Sequence, residues 1–361
     1  MMKRINIMTS CNDAIAEYLL PQLVSINRHL SGYDLYFYLT YNNISEEKLN
    51  LIKDFVKSKT CINYFEIKVE NISFYESFVR DGDGFWPCEA YFTLRLQDYM
   101  PDDVDRILYI DAGDVIIDGD ISPYYFDDFE GNSFIATTLG HKKIPETGEL
   151  EPYTQEDIME LRRGTLFNSG SYIIDVEKFR REGYTENDYD YLRKLLRENS
   201  TKDEIPYLGD QGFLAAAFVG DIKFFGYPQC KDPSYMPYNF RTCYWAYFGN
   251  DLNYKPVVYH YAIRSKPWVV RFDDEVIDRV VGDPNFVGRN LVTAIPTLTS
   301  MTPQHLKACE VWWEYAKETP IYEEADVRAR ITAESWEKYY FPLCAQYNGV
   351  YAHLLRLMKI T

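Results

Sequence analysis

The sequence predicts an α/β protein built on a mixed, mostly parallel central sheet and finished by a helical carboxy-terminal region. Three observations lead there. Short apolar runs alternate with amphipathic helical repeats between Ile5 and Val69, the rhythm that gives parallel strands with helices on the sheet faces. The chain of 361 residues, 46% of them hydrophobic, is long enough to bury a large core. Beyond Phe272 the strand signals stop and amphipathic helical spacing takes over, with Trp312, Trp313, Tyr315 and Tyr322 prominent.

Taken in order, Ile5 to Thr9 reads as a short buried strand ending in the polar turn Ser10-Cys11-Asn12-Asp13. Ile15, Leu19, Leu23 and Ile26 repeat at helical spacing. Leu35 to Leu39 is the second strand, and Ser45 is placed to cap a helix that turns Leu49, Ile52 and Phe55 inward. Ile62 to Val69 is the third strand. A helix around Glu89 to Tyr99 leads into Arg106-Ile107-Leu108-Tyr109-Ile110, a buried central strand, and Asp111-Ala112-Gly113-Asp114 sits at its carboxyl end. In open α/β sheets ligands bind at that end. The polar stretch from His141 to Arg163 reads as a loop over this turn. Ser171 to Ile174 is a further strand, Leu208-Gly209-Asp210-Gln211 opens a helix running through Ala215, Ala216 and Ala217, and Val257 to Tyr261 is a late strand. The expected division is one catalytic domain over residues 1–270 and a helical region over 271–361.

Composition removes several classes. A formal net charge of −17 repels phosphate backbones, so no nucleic-acid partner is expected. The seven cysteines include no CxxC pair, which argues against a zinc site or a disulfide framework. The start, Lys3-Arg4-Ile5-Asn6-Ile7-Met8, is too short and polar for a signal peptide, and no apolar run of about 18 residues follows, so the expectation is a soluble cytoplasmic protein. The 32 tyrosines suit half-buried surfaces or a cleft that stacks sugars. Near the end, Leu354, Leu355, Leu357 and Met358 beside His353, Arg356 and Lys359 either pack on the domain or meet a membrane surface or a partner subunit, a second copy included.

Chemistry concentrates in four places. Asp111 and Asp114 follow a strand with no other charge after Arg106, and two carboxylates there need water or a cation; Mn²⁺ or Mg²⁺ takes carboxylate oxygens and phosphate oxygens together. The same turn is also readable as an ordinary Asp-rich turn, as is Asp118-Gly119-Asp120. His260, six residues before Lys266, pairs a metal-ligand type with a cation suited to a diphosphate, although a single His is commonly structural. Asn168 in Phe167-Asn168-Ser169-Gly170, and Asp210-Gln211 at a helix start, offer directional hydrogen bonds to sugar hydroxyls; Asp210 is also placed as a helix cap.

In order and spacing, these segments resemble glycosyltransferase family 8, the retaining enzymes that use UDP-sugars. Ile5 to Asp13 looks like its uridine-binding strand and turn. Arg106 to Asp111, with Asp114 and Gly119-Asp120-Ile121, looks like its DxD strand. Phe167-Asn168-Ser169-Gly170, Asp210-Gln211 and His260-Tyr261 with Lys266-Pro267-Trp268 match its later motifs, and Trp312-Trp313-Glu314-Tyr315 is similar to the tail of bacterial members.

The resemblance implies a GT-A type, Rossmann-like single catalytic domain. Asp111, Asp114 and His260 would hold Mn²⁺ or Mg²⁺ against the UDP diphosphate, and Lys266 would neutralise diphosphate charge. Thr9 and Asp13 would lie near uracil and ribose, with Cys11 in the same nucleotide-binding turn. Asn168, Asp210 and Gln211 would bracket the donor sugar, the last two carrying any catalytic role. The implied activity moves a hexose, glucose or galactose, to an acceptor hydroxyl in cell-surface glycan synthesis, on a glycan, glycolipid or glycoprotein; the rival reading is a catalytically impaired nucleotide-sugar-binding protein of the same fold. A nucleotidyltransferase is disfavoured, because Thr9 to Asp13 contains neither glycine nor cation to cradle a triphosphate. The chain departs from the family pattern at four positions. Two residues, Ala112 and Gly113, separate the aspartates where one is usual. Thr93 stands where an arginine is usual, with Arg95 two residues on. Ile263 replaces a glycine, and Gly212 follows the Asp-Gln pair where a further aspartate is common. Gly113, free to take positive φ, would let both carboxylates converge across the longer turn.

Overall fold

A computed structural model of the chain describes residues 2–81, 87–138, 141–143, 150–152, 167–198, 209–224, 257–261, 266–276 and 303–340. These fall into two compact units, one carrying the described residues through His260 and the other those from Tyr261 onward. Ile263, Arg264 and the amphipathic segment from His353 to Lys359 lie outside the described residues, as does most of the expected loop from His141 to Arg163.

In the first unit the strands are β1 (Arg4–Ser10), β2 (Asp34–Tyr41), β3 (Asn63–Lys68), β4 (Arg106–Ile110), β5 (Val115–Ile117), β6 (Phe134–Thr138), β7 (His141–Lys143), β8 (Leu150–Pro152), β9 (Phe167–Asp175), β10 (Ile222–Phe224) and β11 (Val258–His260). Seven of them form one sheet in the order β10-β6-β9-β4-β1-β2-β3. β1 runs parallel to β2 and β4, β2 to β3, and β6 to β10; β9 alone is antiparallel to both its neighbours. The mixed, mostly parallel sheet is the one expected. Ile5, Ile7 and Met8 of β1 are all buried, as the middle of a sheet covered on both faces requires, whereas edge strand β3 is half exposed. β5 pairs antiparallel with β11, and β7 with β8.

The helices of this unit are α1 (Leu19–His29), α2 (Glu46–Lys59), α3 (Ser73–Asp81), the single turn α4 (Ser122–Tyr125), α5 (Val176–Glu182), α6 (Glu186–Glu198) and α7 (Gly209–Ala217). Ser45 occupies the cap position of α2 with extended backbone, yet its hydroxyl makes no capping bond; Glu46 and Glu47 in the first turn and Lys57 and Lys59 in the last complement the helix dipole instead. The helix expected over Glu89 to Tyr99 is a run of tighter 3₁₀ turns, Cys88–Asp98, broken at Arg95 (φ −125°, ψ 30°). An amphipathic α-helix buries one stripe, but Tyr91, Phe92, Thr93 and Leu94 are all buried here, and the irregular winding turns each of them inward.

Many of the tyrosines serve the core. Tyr109, Tyr172 and Tyr189 are fully buried, with Phe74, Phe78, Phe134, Phe179, Phe213 and Phe218 packed among them in largely edge-to-face contacts, such as Phe134–Phe218 at 4.7 Å, and Tyr124 is fully buried as well. Tyr124 donates its hydroxyl to the Ile135 carbonyl at 3.0 Å and Tyr172 to Thr93 Oγ1 at 2.9 Å. These contacts combine apolar burial with satisfied polar tips.

The second unit contains α8 (Pro303–Ala316) and α9 (Tyr322–Ser335). Ala325, Ala329 and Ala333 form a buried small-residue stripe on α9. Trp268 packs on Trp312 at 5.4 Å, and Trp312 meets Trp313 edge-on at 4.9 Å. Arg271 stacks over Trp313 at 4.7 Å while bonding Glu310 of α8 at 2.7 Å and Asp326 of α9 at 2.6 Å. One guanidinium thus ties both helices to the segment from Lys266 to Phe272, and the two carboxylates raise its pKa against the opposing effect of burial. Among the described residues no helix is long and apolar enough to cross a membrane. Arg271→Leu should destabilise this unit by about 2 kcal/mol in chemical denaturation, below the ~3–5 kcal/mol of a fully buried pair because Glu310 stays partly wet; a change under about 0.5 kcal/mol contradicts the clamp.

Candidate functional site

The acidic turn leaves the carboxyl end of β4, a buried strand between β1 and β9. Gly113 takes φ +74°, the left-handed conformation open to glycine, and the chain then enters β5. β5 pairs with β11 in the register Val115↔His260, which sets the histidine beside Asp114 although it comes far later in the chain. The imidazole Nε2 lies 3.2 Å from Asp111 Oδ2 and 3.9 Å from Asp114 Oδ1. One ligand atom from each of the three residues falls within 4.8 Å of the others. Two carboxylate oxygens and one imidazole nitrogen, converging with Asp111 still a third exposed, are a donor set suited to a divalent cation. The residues therefore fit the metal.

Gly170 makes this possible. A Cβ there would lie 2.0 Å from His260 Cε1 and 2.5 Å from Nε2, so the ring is seated against bare backbone. The Gly170 carbonyl also accepts the Asp111 amide at 3.0 Å, linking β9 to the turn. Tyr109 is buried in β4, and burial, then the nearby Asp111 charge, pushes its hydroxyl pKa up.

Asp210 opens α7 and is buried. Its carboxyl is pushed up to about 7, first by burial and then by the negative charge of Asp111, against hydrogen bonds from the Ser169 hydroxyl and the helix-start amides. Burial and the neighbouring Asp111 charge thus favour the protonated form of this acid. Gln211 follows it, half-buried. Asn168 lies near the start of β9, and its side chain is outside the described residues.

At the carboxyl end of β1, Thr9 is fully buried and donates its hydroxyl to the Ile110 carbonyl at 2.8 Å, while accepting at its own carbonyl from Thr40 Oγ1 at 3.1 Å. Thr9 holds the ends of β2, β1 and β4 together from beneath the surface. Cys11 is also buried, its thiol pushed up by burial and secondarily by Glu89. Asp13 is half-buried; it accepts the Ser45 amide at 2.8 Å and pairs with Lys48 at 3.3 Å, and the Ser45 amide holds its carboxyl below the ordinary value. Lys266, in the second unit, donates to the Tyr261 carbonyl at 2.8 Å. Thr93, in the place of an arginine, is buried and bonded to Tyr172, while Arg95 pairs with Asp98 at 2.6 Å.

The sequence matches glycosyltransferase family 8 across residues 6–270. The chain belongs to that family. Its sheet is of the GT-A type: the galactosyltransferase LgtC, bound to donor and acceptor sugar analogues, superposes with a TM-score of 0.55 at 18% identity, over 88% of this chain and 96% of the other. A lipopolysaccharide 1,2-glucosyltransferase of Escherichia coli is 24% identical over 64% of this chain and 63% of its own length. A lipopolysaccharide 1,3-galactosyltransferase of Salmonella typhimurium strain LT2 is 24% identical over 51% of this chain and 50% of its own. The chain thus spans less than two-thirds of either curated relative.

Two residues at the centre of this geometry were missed in the sequence. Gly170 was visible as part of a polar loop, but its role as the seat of His260 depends on a strand pairing that no local pattern encodes. Gln22, described below, left a faint signal: a polar residue three positions after Leu19 on the apolar face of α1. Gly170→Ala should displace the imidazole and weaken Mn²⁺ binding at least tenfold by calorimetry; retained affinity would show that His260 is no ligand. Asp210 gives a pH test in the metal-free protein. Its folded carboxyl keeps a proton that the unfolded chain loses near 3.8, so stability falls as pH rises from about 4 to about 7. Asp210→Asn removes that slope, so its melting temperature relative to the parent should climb between pH 5 and pH 8.

Proposed function

We propose that the chain is a retaining glycosyltransferase that moves a hexose, glucose or galactose, from a UDP-sugar to an acceptor hydroxyl during cell-surface glycan synthesis. The convergence of Asp111, Asp114 and His260 at the carboxyl end of β4 carries this reading. The relatives named as lipopolysaccharide glucosyl- and galactosyltransferases support the donor and the acceptor class.

In this reading Asp111, Asp114 and His260 hold Mn²⁺ or Mg²⁺, which when bound supplies Lewis-acid stabilisation to the departing diphosphate. Asp13 and the turn around Cys11 receive the uridine. Asn168, Asp210 and Gln211 orient the sugar, and Lys266 adds positive charge for the phosphates. The bond from the anomeric carbon to the diphosphate oxygen breaks while a bond to the acceptor oxygen forms on the same face. The acceptor proton passes to the leaving diphosphate oxygen, so no strong protein base is required. Asp210 suits hydrogen bonding to sugar hydroxyls in either protonation state, because burial brings its pKa to about 7. Gln211, never charged, stabilises the developing positive charge through its carbonyl dipole.

The rival reading, donor binding without transfer, rests on the departures from the family pattern. The largest of these, the extra residue in the acidic turn, leaves three ligand atoms together all the same. With Mn²⁺ present, the protein is expected to release UDP from UDP-glucose or UDP-galactose, slowly to water and faster with a glycan acceptor, and EDTA should abolish both rates. Undiminished turnover in EDTA would remove the metal role. Calorimetric binding of UDP with no release from either donor would support the binding-only alternative.

A further inference from the structure

The lengthened acidic turn needs something to hold it. Relative to a spacing with one intervening residue, Asp111-Ala112-Gly113-Asp114 has an additional link, and an unbraced turn of this kind has several ways to fold. The carboxylates also repel each other in every arrangement that brings them together. Hydrogen bonds from α1 fix one arrangement.

Gln22 is fully buried, 0% exposed, on the face of α1 that meets β5. Its Nε2 donates to the Asp111 carbonyl at 2.8 Å and to the Val115 carbonyl at 3.0 Å. Its Oε1 accepts the Gly113 amide at 3.4 Å. The carboxamide therefore touches the residue before the additional link, the glycine within it and the first residue of β5. Two carbonyl partners on one side and an amide on the other also fix which end of the carboxamide is nitrogen. Ser25, one turn further along and equally buried, accepts the Ile117 amide at 3.2 Å and donates to the Gln22 carbonyl at 2.7 Å. Gly113 permits the close approach: a Cβ there would sit 3.0 Å from Tyr18 Cβ and 3.2 Å from the Tyr18 carbonyl, quite apart from its positive φ.

We propose that Gln22 is a positioning residue for the metal site, a side chain that never meets the ion or the donor but fixes the backbone of the turn so that Asp111 and Asp114 both face His260. The inference rests on the reading of Asp111, Asp114 and His260 as metal ligands. A fully satisfied carboxamide is the right device, because an apolar residue of the same size would take one hydrogen bond from each of two carbonyls and an amide in the buried turn. Groups that orient ligands in this way commonly set metal affinity by 10- to 100-fold.

Two variants separate positioning from core stability. Gln22→Met keeps the volume and removes every hydrogen bond; Gln22→Glu keeps the acceptor for Gly113 and loses both donors. Ile52→Ala, in the apolar core under α2, serves as the destabilised control. Free Mn²⁺ is measured by electron paramagnetic resonance without nucleotide, and exchange of the Gly113 amide is followed in metal-free protein. Both Gln22 variants should bind Mn²⁺ about 10- to 100-fold more weakly and the control should match the parent; Gly113 exchange should accelerate in Gln22→Met. Folded variants, either one sufficing, that bind Mn²⁺ within twofold of the parent overturn the proposal. Should the parent itself bind no Mn²⁺, the ligand reading fails instead, while faster Gly113 exchange would still reveal the brace.

Discussion

Two carboxylates and an imidazole held within reach of one another at the end of a buried strand set the terms for the rest of the first unit. Asp111 and Asp114 repel each other, and the turn that joins them would relax if only its own backbone opposed that repulsion. The surrounding elements act against the relaxation from several sides. β11 lays His260 against β5, β9 offers a glycine for the ring to rest on, and α1 reaches into the turn with Gln22. The sheet order matters for the same reason. With β4 flanked by β1 and β9, parallel β1 ends and antiparallel β9 begins close to the turn, so Thr9 can bond Ile110 while Gly170 bonds the Asp111 amide. The result is a cluster of two carboxylates and an imidazole whose charge repulsion a bound cation would relieve.

Asp210 adds to that repulsion. Its carboxyl is buried near Asp111, and the two negative charges would compete for the same low-dielectric space. Near neutrality the protein can hold a proton on Asp210 or accept a cation nearby, and each relieves the repulsion. On the proposed function, metal loading and the protonation of Asp210 would be linked through Asp111. The absence of the usual arginine points the same way. Thr93 and Tyr172 form a neutral hydroxyl pair, so no guanidinium at that position offsets Asp111 and Asp210.

Much of this was legible in the sequence because the information was local. Strands β1, β2, β3 and β4 announce themselves as apolar runs, and Asp111, Asp114, Asp210 and His260 lie at element ends where their types and order are readable. The capacity of Gly113 for positive φ could be anticipated from its lack of a side chain, and the observed +74° agrees. What stayed hidden was non-local or cooperative. Ser45 looked like a cap, but a cap needs a hydroxyl aimed at the right amide, and that amide geometry is set by tertiary packing. Glu89 to Tyr99 looked like an α-helix, yet the run of buried residues from Tyr91 to Leu94 winds it more tightly.

The positions of Gly170 and Gln22 show why pattern reading stops where it does. A glycine in a polar loop can serve a turn, a bulge or a close approach, and only the pairing of β5 with β11 reveals that an imidazole needs the space. A glutamine on an apolar helix face is a local inconsistency, and its cost is recovered only if distant backbone groups are brought to it. Here those groups belong to the one turn whose length departs from its family. The extra residue and the buried amide are then two halves of one solution. Lengthening the turn creates backbone groups that need partners, and the amide that supplies them fixes where both aspartates point. In the proposed metal site the longer turn and Gln22 therefore act together, the turn presenting the backbone groups and the carboxamide holding them.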